Sequence, residues 1–156
     1  MVSPPPPSSA IPPATPPTVA WLGYGGLLPF IALALAALAG LAPYVAWGGA
    51  LRAYAAVILG FVGALHWGFA MALAGLSPAQ RQAAFIWSVV PSLLGWLALL
   101  APPLAGVALL VPGFLAHYAQ DLRLARRAPL PAWYLPLRLR LTGVACVCLL
   151  GGGWTP

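Results

Sequence analysis

Residues 53–75 read AYAAVILGFVGALHWGFAMALAG, 23 positions with no formal charge and one histidine. About 20 apolar residues of helix cross the roughly 30 Å hydrocarbon core of a bilayer, so this stretch is long enough to span one. Four further apolar runs flank it, at residues 21–41, 85–101, 104–119 and 139–154. The last three are short for a crossing, but bordering aromatics and arginines that reach for the interface, or slight thinning of the bilayer, accommodate them. The expected fold is an all-α integral membrane protein, a bundle of five transmembrane helices.

Composition agrees. Of 156 residues, 62% are hydrophobic and 5% charged, where a soluble domain carries about a quarter charged residues. The charge inventory is seven arginines and a single acid, Asp121. The net charge of +6 therefore comes from missing acids. No basic stripe with interleaved aromatics is present, which argues against a nucleic-acid partner. Cys146 and Cys148 stand two apart in an apolar run and would face different sides of a helix, as small core residues. Residues 1–20 hold eight prolines and no charged side chain, and are expected to form a disordered, cytoplasmic spacer or docking arm. They lack the basic and apolar regions of a secretory signal and the arginines of a transit peptide.

Five crossings put six arginines (81, 123, 126, 127, 138 and 140) on one side and Arg52 on the other. The positive-inside rule then places the N-terminus in the cytoplasm and the C-terminus in the periplasm. The segment 120–138 is expected on the cytoplasmic surface, with Trp133 and Tyr134 at headgroup level and Arg123, Arg126 and Arg127 near anionic lipid. Its two ends carry Asp121 and Arg138, which are expected to form an ion pair pinning the segment at the membrane edge.

Within the bilayer, small residues recur four apart at Ala56, Gly60, Ala64, Gly68 and Ala72, which lets another backbone approach and makes this second helix central. Pro91 frees the carbonyl of Trp87, and Pro112 that of Ala108. At 1.5 Å per residue, His66 and His117 lie at about 18 and 20 Å from the same side, level with Trp87 and Ser88 at about 20 Å. Asp121 follows His117 by four residues, on the same helical face. A neutral imidazole has one donor and one acceptor, each costly to leave unpaired in hydrocarbon. His66 is therefore expected to tie the second helix to the third through the Trp87 carbonyl or the Ser88 hydroxyl, with Trp67 on another face toward lipid or a partner.

Two histidines at one depth also leave open the ligation of a b-type haem, and a proton or solute path through His66, His117 and Asp121 is a further alternative. No catalytic constellation is legible: one acid excludes a carboxylate pair, nothing resembles a nucleophile elbow around Ser88, and no metal cluster or phosphate-binding glycine loop is visible.

The order LGYGGLLPF, ILGFVGALHWGFA, VVPSLLGW, the Asp121 region and PAWYLPLRLRLT resembles the transmembrane protein 69-like family, domain of unknown function 3429. The resemblance covers roughly residues 23–150 and matches at Pro29, His66, Trp67, Gly68, Pro91, Trp96, Asp121, Trp133, Tyr134, Arg138 and Thr142. It implies a small multi-pass protein of bacterial inner membranes and the mitochondrial inner membrane, without an established activity. The expected role is a non-enzymatic accessory, assembly or stabilising subunit in an energy-transducing inner membrane, with the lipid bilayer and another membrane protein as partners and no cofactor. A binder of quinone, haem or lipid, or a proton or solute transporter, is the alternative.

Overall fold

The computed structural model describes residues 14–42 and 44–155, and these form an all-helical bundle. Its elements are α1 (Pro17–Gly25), α2 (Leu27–Leu38), α3 (Trp47–Ala72), α4 (Pro78–Leu100), α5 (Pro103–Ala125) and α6 (Tyr134–Gly152). Five spans are long and apolar enough to cross a membrane, α1 and α2 together making the first. Most of the expected proline-rich tail, residues 1–13, lies outside the described residues, while residues 17–20 already belong to α1.

The first span breaks at Gly26 for a legible reason. Pro29 has no N–H to give to the Gly25 carbonyl and its ring crowds it, and the neighbouring Gly26 carbonyl accepts a hydrogen bond from the Tyr54 hydroxyl of α3 at 2.9 Å.

Helix α3 is central, touching α2, α4, α5 and α6. Its closest approach is to α4. A Cβ built on Gly63 would lie 2.8 Å from the Pro91 ring, one on Gly60 would lie 3.1 Å from Ser92 Oγ, and one on Gly95 would lie 3.0 Å from the Ala56 carbonyl. The contact thus follows Ala56, Gly60 and Gly63. The four-residue stripe read from the sequence holds only for its first two members, because it drifts around the helix: Ala64 and Gly68 are exposed, and nothing stands within 4 Å of a Cβ on Gly68. Pro91 is buried where α4 meets Gly63, so its missing N–H coincides with a tight helix contact.

The helices begin and end differently from the hydropathy limits. Ser77 and Gln80 form a reciprocal capping box, with Pro78 in the first turn, so α4 starts inside the stretch LSPAQRQ that reads as a connection. Arg81 then donates to the carbonyls of Ala70 and Leu73, covering the C-terminal end of α3. Helix α5 runs on to Ala125 and α6 begins at Tyr134. The surface segment expected at 120–138 is accordingly replaced by two helix ends and a short connection.

Candidate functional site

The chain's one carboxylate is the centre of a buried polar node. Asp121 sits in the last turns of α5 with none of its surface exposed, and the partners come from two other helices. Its Oδ1 accepts from Nε2 of His66 on α3 and from the hydroxyl of Tyr134 on α6, each at 3.1 Å. Its Oδ2 accepts from Nε of Arg138, also on α6, at 2.9 Å. Charge-assisted bonds of this kind are roughly twice as strong as neutral ones, and a buried carboxylate needs them. The Asp121–Arg138 pair expected from the sequence is present, but it is buried in the bundle and does not pin a surface segment.

His117, one turn before Asp121, completes the node. Its ring meets that of His66 edge to face with centroids 4.9 Å apart, and its Nδ1 accepts from the indole N–H of Trp87 on α4 at 3.1 Å. An indole can only donate. In the neutral ring the proton therefore resides on Nε2, which lies 3.9 Å from Asp121 Oδ1, beyond hydrogen-bond reach, and has no partner among the described residues. Phe69 packs against the node, edge-on to both His66 and Tyr134.

His66 thus ties α3 to α5, contrary to the tie expected with the Trp87 carbonyl or Ser88. The hydroxyl of Ser88 is spent on its own helix, donating to the Phe85 carbonyl at 2.7 Å, and Trp87 contributes its indole to His117. Of the other residues singled out, Trp67 is half exposed and edge-on to Phe85, and Gly68 faces open space. Trp133 begins the turn into α6, and its buried Nε1 has no partner among the described residues. Tyr134, expected at the headgroups, is turned inward onto Asp121 because α6 starts there.

Sequence reading passed over Phe69 and left the Thr142 hydroxyl and the side chains of Gln80 and Gln120 unremarked. For Thr142 a signal existed, since it stands one helical turn after Arg138 on the same face.

A cleft of about 240 Å³ leads to the node, lined by His66 and Trp87 at its inner end and by Gln80, Gln120, Arg123 and Arg127 among others. Nδ1 of His66 has no partner among the described residues. Candidate ligand atoms of His66, His117 and Asp121 all lie within 4.8 Å of one another, close enough for one cation to be considered. The donor set argues against a ready-made site, because Trp87 holds the His117 proton on the nitrogen nearest Asp121. A haem ligated by both histidines would require their rings, now in edge contact, to part.

A family model described as "Protein of unknown function (DUF3429)" matches residues 15–152, a range that contains every residue of the node. The chain belongs to this family. Transmembrane protein 69 of Xenopus tropicalis is 35% identical over 140 residues, covering 84% of this chain and 51% of the relative. The chain thus spans about half the length of the curated relative it matches. No solved structure matches at a significant level. The chain is a multi-pass membrane protein of an uncharacterised family.

Proposed function

We propose that the chain is a non-enzymatic accessory or stabilising subunit in an energy-transducing inner membrane, docking on a larger membrane complex through its arginine-rich end. The supporting observation is one of charge. Asp121 is the chain's single acid and is bonded to Arg138, so the exposed Arg123, Arg126 and Arg127 have no acidic side chain of their own to pair with. An acidic surface of another protein supplies what they lack. The positive-inside rule puts this end in the cytoplasm or the equivalent compartment, and a reporter fused after Pro156 should then lie on the opposite side from one fused at Arg126.

Comigration in a mild-detergent native gel tests the docking. Replacing the three arginines by glutamine should release the chain from its complex, and lysine at the same positions should restore it. Comigration that persists in the glutamine variant, with topology unchanged, would overturn the proposal.

A second reading, a binder of a small ligand such as quinone or lipid, is favoured by a different observation: the cleft ends on His66, whose Nε2 is bonded to Asp121 and whose Nδ1 is unpartnered. An imidazole polarised by a carboxylate can accept a hydrogen bond or a proton from a ligand head. Cofactor that copurifies with wild type and is lost in His66→Leu protein would support this reading, and its retention there would exclude it.

A further inference from the structure

A second cavity, of about 110 Å³, lies against Arg138 between the broken first span, α3, α5 and α6. Its walls are hydrocarbon, with Leu27, Phe30, Val62, Phe114 and Ala145 among them. Two polar groups line it, and both are orphaned. Arg138 is 5% exposed and Thr142 is 3% exposed, yet Nη2 of the guanidinium and Oγ1 of the hydroxyl have no hydrogen-bond partner among the described residues. They stand four residues apart on α6, so they face the same way. Buried donors left unpaired are costly, and two of them in one apolar cavity call for an acceptor.

We propose that this cavity binds a neutral carbonyl group carried on an apolar molecule, with its oxygen accepting from Arg138 Nη2 and Thr142 Oγ1. Charge selects the neutral acceptor. Asp121 already cancels Arg138 through Nε, so a bound carboxylate would leave one uncompensated negative charge in hydrocarbon. A carbonyl oxygen has two lone pairs, one for each donor. Water is the poorer occupant, because Arg138 and Thr142 give it only two partners, the lower end of the two to four a buried water takes, and every other side chain lining the cavity is apolar. Access is lateral: Leu22 and Phe61 at the rim are 73% and 64% exposed, so the cavity opens between the first span and α3 toward the acyl chains. The ester carbonyl of a membrane lipid and the ring carbonyl of an isoprenoid quinone share this chemistry. The inference stands apart from the docking proposal, which rests on arginines at the end of α5.

Native mass spectrometry of the full chain released gently from membranes, with organic extraction of whatever it carries, tests the inference. An ester lipid is recognised by mass, and a quinone by an ultraviolet band that shifts on borohydride reduction. Thr142→Val removes one donor and keeps the shape and the Asp121–Arg138 pair. It should lower retention of the bound molecule about tenfold, the worth of one buried hydrogen bond. Ala145→Leu fills the cavity and should abolish retention without lowering the thermal midpoint, while glutamine at Arg123, Arg126 and Arg127 should leave the molecule in place. Wild-type protein that carries only water in the cavity, a fatty acid as the occupant, or full retention in both Thr142→Val and Ala145→Leu would each overturn the proposal.

Discussion

The two ends of the bundle use arginine in opposite ways. At the end where α5 finishes and α6 starts, Arg138 is neutralised by the chain's only carboxylate, inside a node that joins α3, α5 and α6 and receives α4 through Trp87. At the other end Arg52, near the start of α3, meets no acid and donates to the carbonyls of Gly153 and Thr155 just beyond α6. The first arrangement places two opposite charges in a dry interior, where each depends on the other. The second spreads one charge over the partly buried carbonyls of a helix C-terminus, where the macrodipole is negative. Removing a partner should therefore be far more damaging at the first end.

Asp121→Asn or Arg138→Gln strands a charge or its orphaned partners in the interior, and each should cost about 3–5 kcal/mol in detergent unfolding. The double variant should cost well below the sum of the two, since neither group is then left alone. Strict additivity would mean that the two residues stabilise the bundle independently, and the contrast between the ends would fail.

At the opposite end Arg52→Gln removes the guanidinium from two carbonyls, and the expected loss is about 2 kcal/mol, the range for hydrogen bonds to a charged donor. A loss as large as that of Arg138→Gln would show that carbonyl capping and ion pairing are equally demanding here. The glycine contacts of α3 sharpen the comparison without charge. Gly63→Ala drives a methyl into the Pro91 ring and should destabilise by about 1–3 kcal/mol. Gly68→Ala meets open space and should be neutral or stabilising by up to about 1 kcal/mol. Equal effects at the two glycines would place the α3 contact face elsewhere.

The five spans were legible because length and hydropathy alone decide them, and so was the Asp121–Arg138 pair, since one acid in a membrane chain has few choices. The partner of His66 was not. Depth arithmetic places Trp87, Ser88 and His117 at one level but says nothing of rotation about the helix axes, and rotation puts Asp121 nearest to His66 and turns Ser88 onto its own backbone. The segment 120–138 misled for another reason. Charged and aromatic residues read as surface, yet the backbone hydrogen bonds of α5 continue to Ala125 while Arg123 reaches outward, and Tyr134 turns its hydroxyl inward. The start of α4 was on the page as Ser77-Pro78-Ala79-Gln80, a capping box hidden by the habit of ending helices at proline.

The smallest loss expected is also the most specific. Trp87→Phe keeps a ring near His117 but deletes the only donor to its Nδ1 among the described residues, and the stability loss should be about 1 kcal/mol, that of one neutral hydrogen bond. The sharper readout is the tautomer. With Trp87 present, the proton of His117 is confined to Nε2, 3.9 Å from Asp121 Oδ1. Without it nothing fixes that choice, and 15N chemical shifts of the His117 ring should move from a single Nε2–H form to a mixture. His66, whose Nε2 bond to Asp121 does not involve Trp87, should keep its shifts. A His117 ring that stays entirely Nε2–H in the variant would mean that Asp121 alone orients it, and that α4 is joined to the node by packing and not by the indole bond.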